Sequence, residues 1–515
     1  MAGFNSIGTK LLTGELYSQL NGVTSGNFVI SSPVTVSTNL TIDAGVSIRC
    51  EMGGVITCTA DLIINGPFTA GLYQCFAGAG SVTFGAGVVN EVYPEWFGAK
   101  GDGDTDSTTA VQTAITVGVN CNIGIKCSGK YKLTASINID RPELAGNSDK
   151  YFTITSDTGG GFLVSTAIPM FSSSIVFTTD PVSQLIRFQN IIFESTDSSL
   201  SAYVLDDGRY MRTVFDGCDF LSIKMVNVSV GRLQSVHLIG GNVRRFDGTF
   251  ISSTVDNYDV RVADVIVEAF TGVAIQLINP FGCAITNSVI EATNQTAIKY
   301  NGARGLTISH CYFEDNAIDI DGTGASNNYG VVIEGNYFSP HSLTTYSVKW
   351  GTIFGGVSNG NSHKGYMHDL TLATVQDLII NDFADGSLMT GNTPALKASF
   401  DGTYTATLTG CTTSPTGAIR YSKNGSAVTL FIPTITGMSN STGATLTGLP
   451  AFLLPKRQQS LLIRFENNSN VGTSCGMIIL DNDGTFILTT DLYGNGFASS
   501  NTKGIQQTTV TYSLL

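Results

Sequence analysis

A short phrase recurs through the middle of the chain, and its spacing limits the fold more than any other feature of the sequence. In each copy an apolar residue is followed five places later by a second apolar residue, usually with Asn, Gly or Cys between them. The copies are Phe188–Phe193, Phe215–Phe220, Leu238–Val243, Val262–Val267, Ile285–Ile290, Ile308–Phe313 and Ile333–Phe338. The second apolar residues are 27, 23, 24, 23, 23 and 25 residues apart. Such a step predicts an all-β solenoid, a right-handed parallel β-helix with about three short strands in each coil.

The same phrase predicts which side chains are buried. A single coil cannot bury its own inward face, whereas stacked coils share a continuous apolar interior and pair their backbones between neighbouring strands. The two apolar residues of each phrase are therefore expected to point inward. Cys218 and Cys311 occupy the same place in the phrase and fit a stack of small buried residues. Leucine-rich repeats have a similar period, but their LxxLxLxxN signature is absent.

The composition excludes several other classes of protein. Charged residues make up only 13% of the 515 residues, about half of the roughly 25% in ordinary domains, which disfavours helical bundles and coiled coils. The net charge of −13 disfavours nucleic acid and anionic membranes as partners. No apolar run approaches the roughly 18 residues that span a bilayer, so no membrane insertion is expected. The ten cysteines form no CxxC pair and the five histidines show no metal-ligand spacing, so neither a metal nor a cofactor is expected.

The chain divides into regions that differ in residue composition and in whether the repeated phrase is present. A short N-terminal segment, residues 1–27, precedes a β-helix that is expected to cover residues 28–390. Within it, residues 91–117 predict a short capping helix with Asp106 or Ser107 as its N-cap. The apolar stripe of that helix consists of Val111, Ala114 and Ile115.

The phrase is absent from residues 395–515, where Pro, Gly and hairpin turns are frequent instead. Lys423-Asn424-Gly425 and Asp481-Asn482-Asp483-Gly484 are two such turns. This region predicts a separate C-terminal antiparallel β-sandwich.

Two stretches of the sequence resemble a known family. Residues 92–115 (VYPEWFGAKGDGDTDSTTAVQTAI) and 305–322 (GLTISHCYFEDNAIDIDG) resemble the pectate-lyase-like superfamily in the form common in bacteriophage tailspikes and capsule depolymerases. The resemblance covers roughly residues 28–390, and residues 395–515 resemble C-terminal domains of phage tail fibres and spikes. It implies a homotrimer whose partner is a bacterial surface polysaccharide, with the C-terminal domain serving trimerisation, carbohydrate contact or both.

The repeat also assigns an outward face. If the second apolar residue of each phrase points in, its two neighbours on the strand point out. The residues that follow it are Glu194, Leu221, Arg244, Glu268, Glu291, Glu314 and Ser339. The residues that precede it include Asn242, Tyr312 and Tyr337. We expect Asn242, Arg244 and the two tyrosines to bind a sugar chain, because carboxylates and amides bind hydroxyls and aromatic faces pack against pyranose rings.

Three glutamates in one column suggest acid–base chemistry. Adjacent coils lie about 4.8 Å apart, so neighbouring carboxylates could approach about 5 Å, the separation of retaining glycosidases. Glu268 and Glu314, two coils apart, would lie roughly 9–10 Å apart, near the separation of inverting glycosidases, so both stereochemical outcomes stay open. Crowding is expected to raise the pKa of the middle one, Glu291, as a general acid requires. Glu291 and Glu314 are the best predicted catalytic pair, with Glu268 as a third member, and the predicted function is endo-hydrolysis of a surface polysaccharide. A merely solvated column is the alternative interpretation of the same glutamates.

Two other functions stay open. A polysaccharide lyase needs a base and a cation that neutralises a uronate, and Lys299, Tyr300, Arg304 and His310 cluster in sequence within half a coil. Lys299, Tyr300 and Arg304 are also predicted to bind the substrate. His310 also fits a simple turn residue. The other alternative is a receptor-binding fibre that adheres without cleaving.

The expected location follows from the resemblance. The first residues lack the basic and apolar regions of a secretory signal, so the chain is expected to fold in the host cytoplasm and to act at the bacterial surface in the virion tail. Outward apolar residues such as Leu221, Ile266 and Val289 fit an interface between copies. Because residues 1–27 are short, attachment is expected either directly to the phage tail or through an adaptor protein.

Overall fold

The computed structural model describes most of the chain. The described residues are 9–140, 151–173, 185–207, 209–229, 232–291, 295–339, 346–364, 368–369, 375–384, 399–424, 427–450, 453–471 and 475–514. The chain forms two compact units. The first unit consists of Met1–Gln376 together with Phe383–Leu388, and the second consists of Asp377–Asp382 together with Met389–Leu515. The predicted boundary between residues 390 and 395 lies outside the described residues.

The N-terminal part of the first unit is a stack of short coils with three parallel sheets. The first sheet contains Thr9–Leu11, Ser25–Ile30, Gly45–Cys50 and Phe68–Thr69; the second contains Gly14–Glu15, Val34–Val36, Ile56–Cys58 and Phe76–Ala77; the third contains Leu40–Ile42, Leu62–Ile64 and Val82–Phe84. Their apolar side chains alternate inward with a period of two, as in Leu62–Ile64, where only the middle residue is exposed. The strand-like sequence from residue 28 onward therefore forms coils as predicted. The coils begin earlier than the predicted boundary, because Thr9–Leu11 and Gly14–Glu15 already pair with the strands of the next coil.

Three helices are described, all in this unit: Tyr17–Leu20, the 3₁₀ turn Pro94–Phe97 and Thr108–Cys121. The last buries Val111, Ala114 and Ile115, as the sequence predicts. Ser107 is its N-cap position, but Oδ1 of Asp106 is the oxygen that accepts a hydrogen bond from the Thr108 backbone, at 3.0 Å. The helix also runs past the predicted end at residue 117, because the first left-handed residue that can terminate it is Asn122.

The main solenoid is a parallel β-helix whose central coils carry four short strands. The first two strands of every coil join one long sheet, and we call their two walls the first and second faces. The first face contains Ile186–Gln189, the first half of Thr213–Leu221 and of His237–Phe246, Arg261–Ala263, Ala284–Thr286, Thr307–Ser309, Val332–Glu334 and the start of Val357–His363. The second face contains Ile192–Ser195, the second halves of those two long strands, Ile266–Phe270, Val289–Glu291, Tyr312–Glu314, Tyr337–Ser339 and the end of Val357–His363.

Earlier strands of the same long sheet are Glu91–Val92, Asp102–Asp106, Gly124–Lys126, Lys130–Leu133, Phe152–Thr155 and Gly161–Val164. The third face contains Val226–Val228, Ile251–Ser253, Ile275–Ile278, Thr296–Asn301, Ile318–Asp321, Tyr346–Lys349 and His368–Asp369, preceded by a smaller sheet of Ile137–Asn138, Pro169–Ser172 and Tyr203–Leu205. The fourth face contains Arg209–Met211, Arg232–Gln234, Asn257–Tyr258, Pro280–Phe281, Asn328–Tyr329, Ile353–Phe354 and Val375–Gln376. One further strand is Ile379–Ala384.

Single left-handed residues make the corners of the coil. The corner between the first and second faces is occupied by Asn190, Gly217, Gly240, Asp264, Asn287, His310, Gly335 and Gly360, all with positive φ. Gly, Asn and Asp tolerate this conformation best, which explains the turn residues inside the repeated phrase. A similar corner at Asn279 separates the third face from the fourth. These one-residue corners are why a coil has four strands where about three were expected.

The interior follows the repeated phrase. The second apolar residue of all seven phrases, from Phe193 to Phe338, is 0% exposed. Aromatic side chains stack from coil to coil, with the Phe188 and Phe215 rings 5.1 Å apart and nearly parallel. Cys218 and Cys311 are buried in this interior as predicted. The inward assignment of the phrase is thus confirmed.

The second unit is an antiparallel β structure with its own core. One sheet contains Ser399–Leu408, Thr416–Asn424, Ala427–Ile432, Thr445–Thr447, Gln459–Ile463, Gly476–Leu480, Phe486–Thr489 and Thr508–Ser513; the other contains Ile435–Met438, Phe465–Asn467, Asn470–Val471 and Thr502–Ile505. The turn at Asp481–Gly484 joins two paired strands, and Gly484 has a φ of 86°. In the part of the chain described, no helix is long and apolar enough to cross a membrane.

Candidate active site

Three glutamates lie in register on the second face. Glu268 is the cross-strand partner of Glu291, and Glu291 is the partner of Glu314. Partner residues on neighbouring strands are separated by about 4.8 Å, and each of these side chains is half-buried. The fold therefore forms the outward column that the repeat predicts.

An arginine extends the column by one coil. Arg244 is the partner of Glu268, and its Nε lies 2.6 Å from Oε1 of that carboxylate. The ion pair is partly exposed, so its net contribution to stability is small. Its local effect is to give one of the three crowded carboxylates a positively charged neighbour.

The middle glutamate, Glu291, has a raised pKa. Burial raises the pKa of Glu291, and the negative charges of Glu268 and Glu314 and a hydrogen bond with Glu268 raise it further. The sequence argument predicted the direction from crowding alone, whereas burial is the largest single cause. A carboxyl group of this kind stays protonated at a higher pH than an ordinary glutamate.

The third glutamate is oriented by a tyrosine of its own strand. The hydroxyl of Tyr312 donates a hydrogen bond to Oε2 of Glu314 at 3.0 Å. The Tyr312 ring stacks on Tyr337 of the next coil, with centroids 5.5 Å apart and an angle of 1° between the rings. The two tyrosines and Glu314 therefore form one rigid group on the second face.

Asn242 lies on the same face, further along the stack. Its side-chain amide donates to Oδ1 of Asp219 at 2.9 Å. In the register of the strands, Ile266 and Val289 stand between Asn242 and Tyr312. The second face therefore has two polar positions, Asn242 and Tyr312, separated by two coils whose outward residues in this register are apolar.

The residues considered for a lyase do not gather at one site. Tyr300 is 0% exposed, since strand alternation turns it inward with Ile298. Its assignment to substrate binding was therefore wrong. Lys299 points outward from the third face, in register with Gln276 and Asp321.

Arg304 was also grouped with the wrong neighbours. It bridges Phe281 and Tyr329 on the fourth face, so it does not join the glutamates of the second face. His310 is an exposed corner residue with a φ of 55°, which agrees with the simple turn interpretation. Closeness in sequence misled here because half a coil turns the chain around the solenoid.

A buried polar group beneath the column was missed by the sequence analysis. The Asn316 side chain donates to the carbonyl oxygen of Ile290, the residue before Glu291, at 3.0 Å, and to Oδ1 of Asp319 at 3.0 Å. Asp319 is 0% exposed, and burial raises its pKa to about 8. No signal in the sequence marked this group, because Asp319 and Asp321 are two positions apart and strand alternation would place both on the side opposite Ile320.

The column is arranged for proton transfer more than for metal binding. Carboxylate oxygens are ligands that hard cations prefer. Here, however, Glu268 is paired with Arg244, Glu291 is hydrogen-bonded to Glu268, and Glu314 accepts a hydrogen bond from Tyr312. An acid beside a carboxylate is the arrangement used in glycoside hydrolysis.

Comparisons with known proteins concern the fold. No protein-family model and no curated protein matches this sequence. Among solved structures, the chain is similar to the Dettilon tailspike protein, with 12% identity, a TM-score of 0.46 and coverage of 82% of this chain and 94% of that chain. It is also similar to a tailspike protein of an Acinetobacter phage, at 11% identity and a TM-score of 0.35, over 82% of this chain and 86% of that one.

A third similar structure is the Pantoea stewartii glycan biofilm modifying enzyme WceF, which has a tailspike-like parallel β-helix fold. It shares 10% identity at a TM-score of 0.31, over 82% of this chain and 63% of that chain. Phage tailspikes with a parallel β-helix are thus among the structural neighbours of this protein.

Proposed function

We propose that this chain is a phage tailspike that binds and depolymerises a bacterial surface polysaccharide by endo-glycoside hydrolysis. The observation that carries the chemical part is the position of Glu291, half-buried between two carboxylates on neighbouring strands, with a raised pKa. The tailspike part is supported by the motif at residues 92–115 and by the parallel coils that follow it.

The three glutamates take different roles. Glu291 is the general acid that protonates the leaving-group oxygen, because its raised pKa lets it keep its proton to a higher pH than an ordinary glutamate. Glu314, oriented by Tyr312, is the carboxylate that attacks the anomeric carbon or activates water. Glu268 keeps the pKa of Glu291 high and is itself paired with Arg244. Carboxylates one coil apart, about 5 Å, favour the retaining mechanism.

The surrounding face binds the sugar chain. Tyr337 is 39% exposed and extends the stack begun by Tyr312, so pyranose rings can pack beside the glutamates. Arg244 and Asn242 supply donors further along the same wall. The exposed Ile266, at 38%, and the neighbouring apolar side chains would be covered in a homotrimer, in which the groove lies near a subunit boundary.

Product analysis tests this proposal. Purified protein is incubated with capsule or lipopolysaccharide from susceptible host strains, and the fragments are examined by mass spectrometry and ultraviolet absorbance. We expect saturated oligosaccharides with new reducing ends and a retained anomeric configuration. Unsaturated products would indicate β-elimination, and intact polysaccharide that remains bound to the protein would indicate an adhesin; either result contradicts the proposal.

A further inference from the structure

The fourth face carries a ladder that the glutamate site does not use. Going from coil to coil, its outward residues in register are Tyr258, Phe281, Arg304, Tyr329 and Phe354. The rings of Tyr258 and Phe281 stack with centroids 4.8 Å apart, and those of Tyr329 and Phe354 with centroids 5.2 Å apart. A single guanidinium therefore stands between two pairs of stacked rings.

Arg304 is held by the rings and leaves its hydrogen-bond donors unused. Its guanidinium carbon lies 5.2 Å from the centroid of Phe281 and 5.9 Å from that of Tyr329, within the range of cation–π attraction. Within the described ranges, this guanidinium makes no hydrogen bond or ion pair. Arg244 and Arg261, by contrast, lie 2.6 and 2.7 Å from a carboxylate oxygen. Arginine has five N–H donors in a planar fork, and here they are available to a ligand.

A depression lies in front of this side chain. Arg304, Gly305, Tyr329 and Gly330 line an open groove of about 390 Å³, which is near the small end of the range for small-molecule sites. Gly305 and Gly330 have φ values of 72° and 60°. Glycine is favoured in this conformation, and the absence of side chains at the two corners keeps the groove open.

The backbone around Arg304 is fixed. Its N–H donates to the carbonyl oxygen of Pro280 at 2.8 Å, and its own carbonyl oxygen accepts from Gly282 at 2.9 Å. The N–H of Tyr329 donates to Ala303 at 2.7 Å. Both walls of the groove are thus held by the ladder, so little ordering is needed when a ligand binds.

We propose that this groove is an anion subsite that binds the carboxylate of an acidic sugar, with Arg304 as the bidentate donor and Tyr329 as a second donor. The guanidinium fork matches the geometry of a carboxylate, and contact with the Phe281 and Tyr329 rings limits the positions that it can take. The Tyr329 hydroxyl accepts from Asn327 at 3.3 Å, which leaves its own proton for the ligand. The protein has a net charge of −13, so a cation beside a groove that has no ion-pair partner among the described residues is a favourable binding point for an acidic glycan.

The subsite is separate from the glutamate column, because it belongs to a different sheet. The subsite rests on the proposed function only in taking a polysaccharide as the source of the carboxylate. It predicts that this polysaccharide contains uronic or other acidic sugars. Its role is to hold the chain rather than to cleave it.

Binding is tested in the Glu291→Gln background, where cleavage does not complicate the measurement. The probes are tetragalacturonate, neutral maltotetraose of the same length, and inorganic sulfate at matched ionic strength. Side-chain ¹⁵N resonances of arginine are followed by NMR, and affinity is measured by calorimetry. We expect tetragalacturonate to shift the Arg304 signal, maltotetraose to leave it unchanged, and sulfate to compete only weakly.

Matched variants identify the residue responsible. Arg304→Ala is expected to weaken tetragalacturonate binding at least tenfold, and Arg304→Lys to weaken it less, because lysine keeps the charge but loses the fork. Arg420 is the control, since it also lies over one aromatic ring, Phe431, at 5.0 Å; Arg420→Ala should bind normally. Thermal melting of each variant separates loss of binding from loss of folding.

Several results would overturn the subsite. These are equal binding of the neutral tetramer, full displacement by sulfate, or an unchanged affinity in Arg304→Ala. A change of oligomeric mass in Arg304→Ala, measured by light scattering, would instead assign the groove to contact between copies and also overturn it. If Glu291→Gln retained full hydrolysis, the proposed function would fail while the subsite could still pass these tests.

Discussion

The second and fourth faces of the solenoid carry columns built by the same rule but with opposite energetics. On the fourth face, rings and one guanidinium stack at the coil spacing, and each contact is favourable. On the second face, three carboxylates stand at the same spacing, where like charges directly opposite one another are destabilising. In-register stacking therefore stabilises the column on the fourth face and destabilises the column on the second face. The column that costs stability is therefore the better candidate for chemistry.

The largest effect should come from the acid itself. Glu291→Gln removes the proton donor while keeping the shape of the side chain, and we expect kcat on the host polysaccharide to fall by about 10³-fold, in the range of general-acid catalysis. The matched control is Glu334→Gln, a half-buried glutamate on the first face. If the two variants lose activity equally, the second face has no special role.

The next largest effect concerns the tyrosine that orients Glu314. Tyr312→Phe keeps the ring stack on Tyr337 and removes only the hydroxyl that bonds the carboxylate. Hydrogen bonds to charged groups contribute about 1.5–3 kcal/mol, so a loss of kcat on the order of tenfold with little change in KM is expected. Tyr93→Phe serves as the control for kcat, because it removes a hydroxyl that donates to Glu91 at 3.1 Å, away from the second and fourth faces. An unchanged kcat in Tyr312→Phe would mean that Glu314 needs no orienting partner.

The pH profile should report the coupling within the column. Activity requires protonated Glu291, so it should decline as pH rises through the raised pKa of that group. Glu268→Gln removes one of the negative charges that raise this pKa, and the decline should then begin at a lower pH. Profiles of kcat against pH for the wild-type protein and for Glu268→Gln check the direction of this shift. A shift toward higher pH would contradict the assigned cause.

The smallest effect is on stability. Glu291 is crowded by Glu268 and Glu314, so Glu291→Gln should relieve charge repulsion and stabilise the fold by about 0.2–1 kcal/mol at a pH above the raised pKa of Glu291. The gain should disappear at acidic pH, where a protonated Glu291 has no charge to repel and the wild-type protein recovers the same stability. Thermal melts at alkaline and acidic pH measure the difference. A variant that is destabilised at alkaline pH would place Glu291 among the structural residues, with those of the fourth-face ladder.

The repeated phrase was sufficient to predict much of this molecule. It predicted the parallel coils, the inward side chains from Phe193 to Phe338, and the register of Glu268, Glu291 and Glu314. Each of these follows from two periodicities, the coil step and the alternation of a strand, and both are visible in the order of the residues.

Errors arose where a residue's direction depended on the corners of the coil. Tyr300 and Arg304 are four positions apart, yet one is inside and the other is on a different face from the glutamates. Asp319 enters the interior because Asn316 and the surrounding coil accept it there. The sequence shows neither the left-handed corners that rotate the chain nor the partners that satisfy a buried carboxyl group.

The order of residues alone predicts that coils stack, which side chains fill them and that three glutamates share one column, because a strict repeat makes neighbours of residues one step apart. Only the folded chain shows that burial is the largest single cause of the raised pKa of Glu291, that Arg244 and Tyr312 contact the outer two glutamates, and that Arg304 lies in a separate groove. Burial, hydrogen-bond geometry and the face on which a residue lies are three-dimensional quantities. They depend on how each corner turns, and the order of residues constrains the corners only through their tolerance of a left-handed backbone.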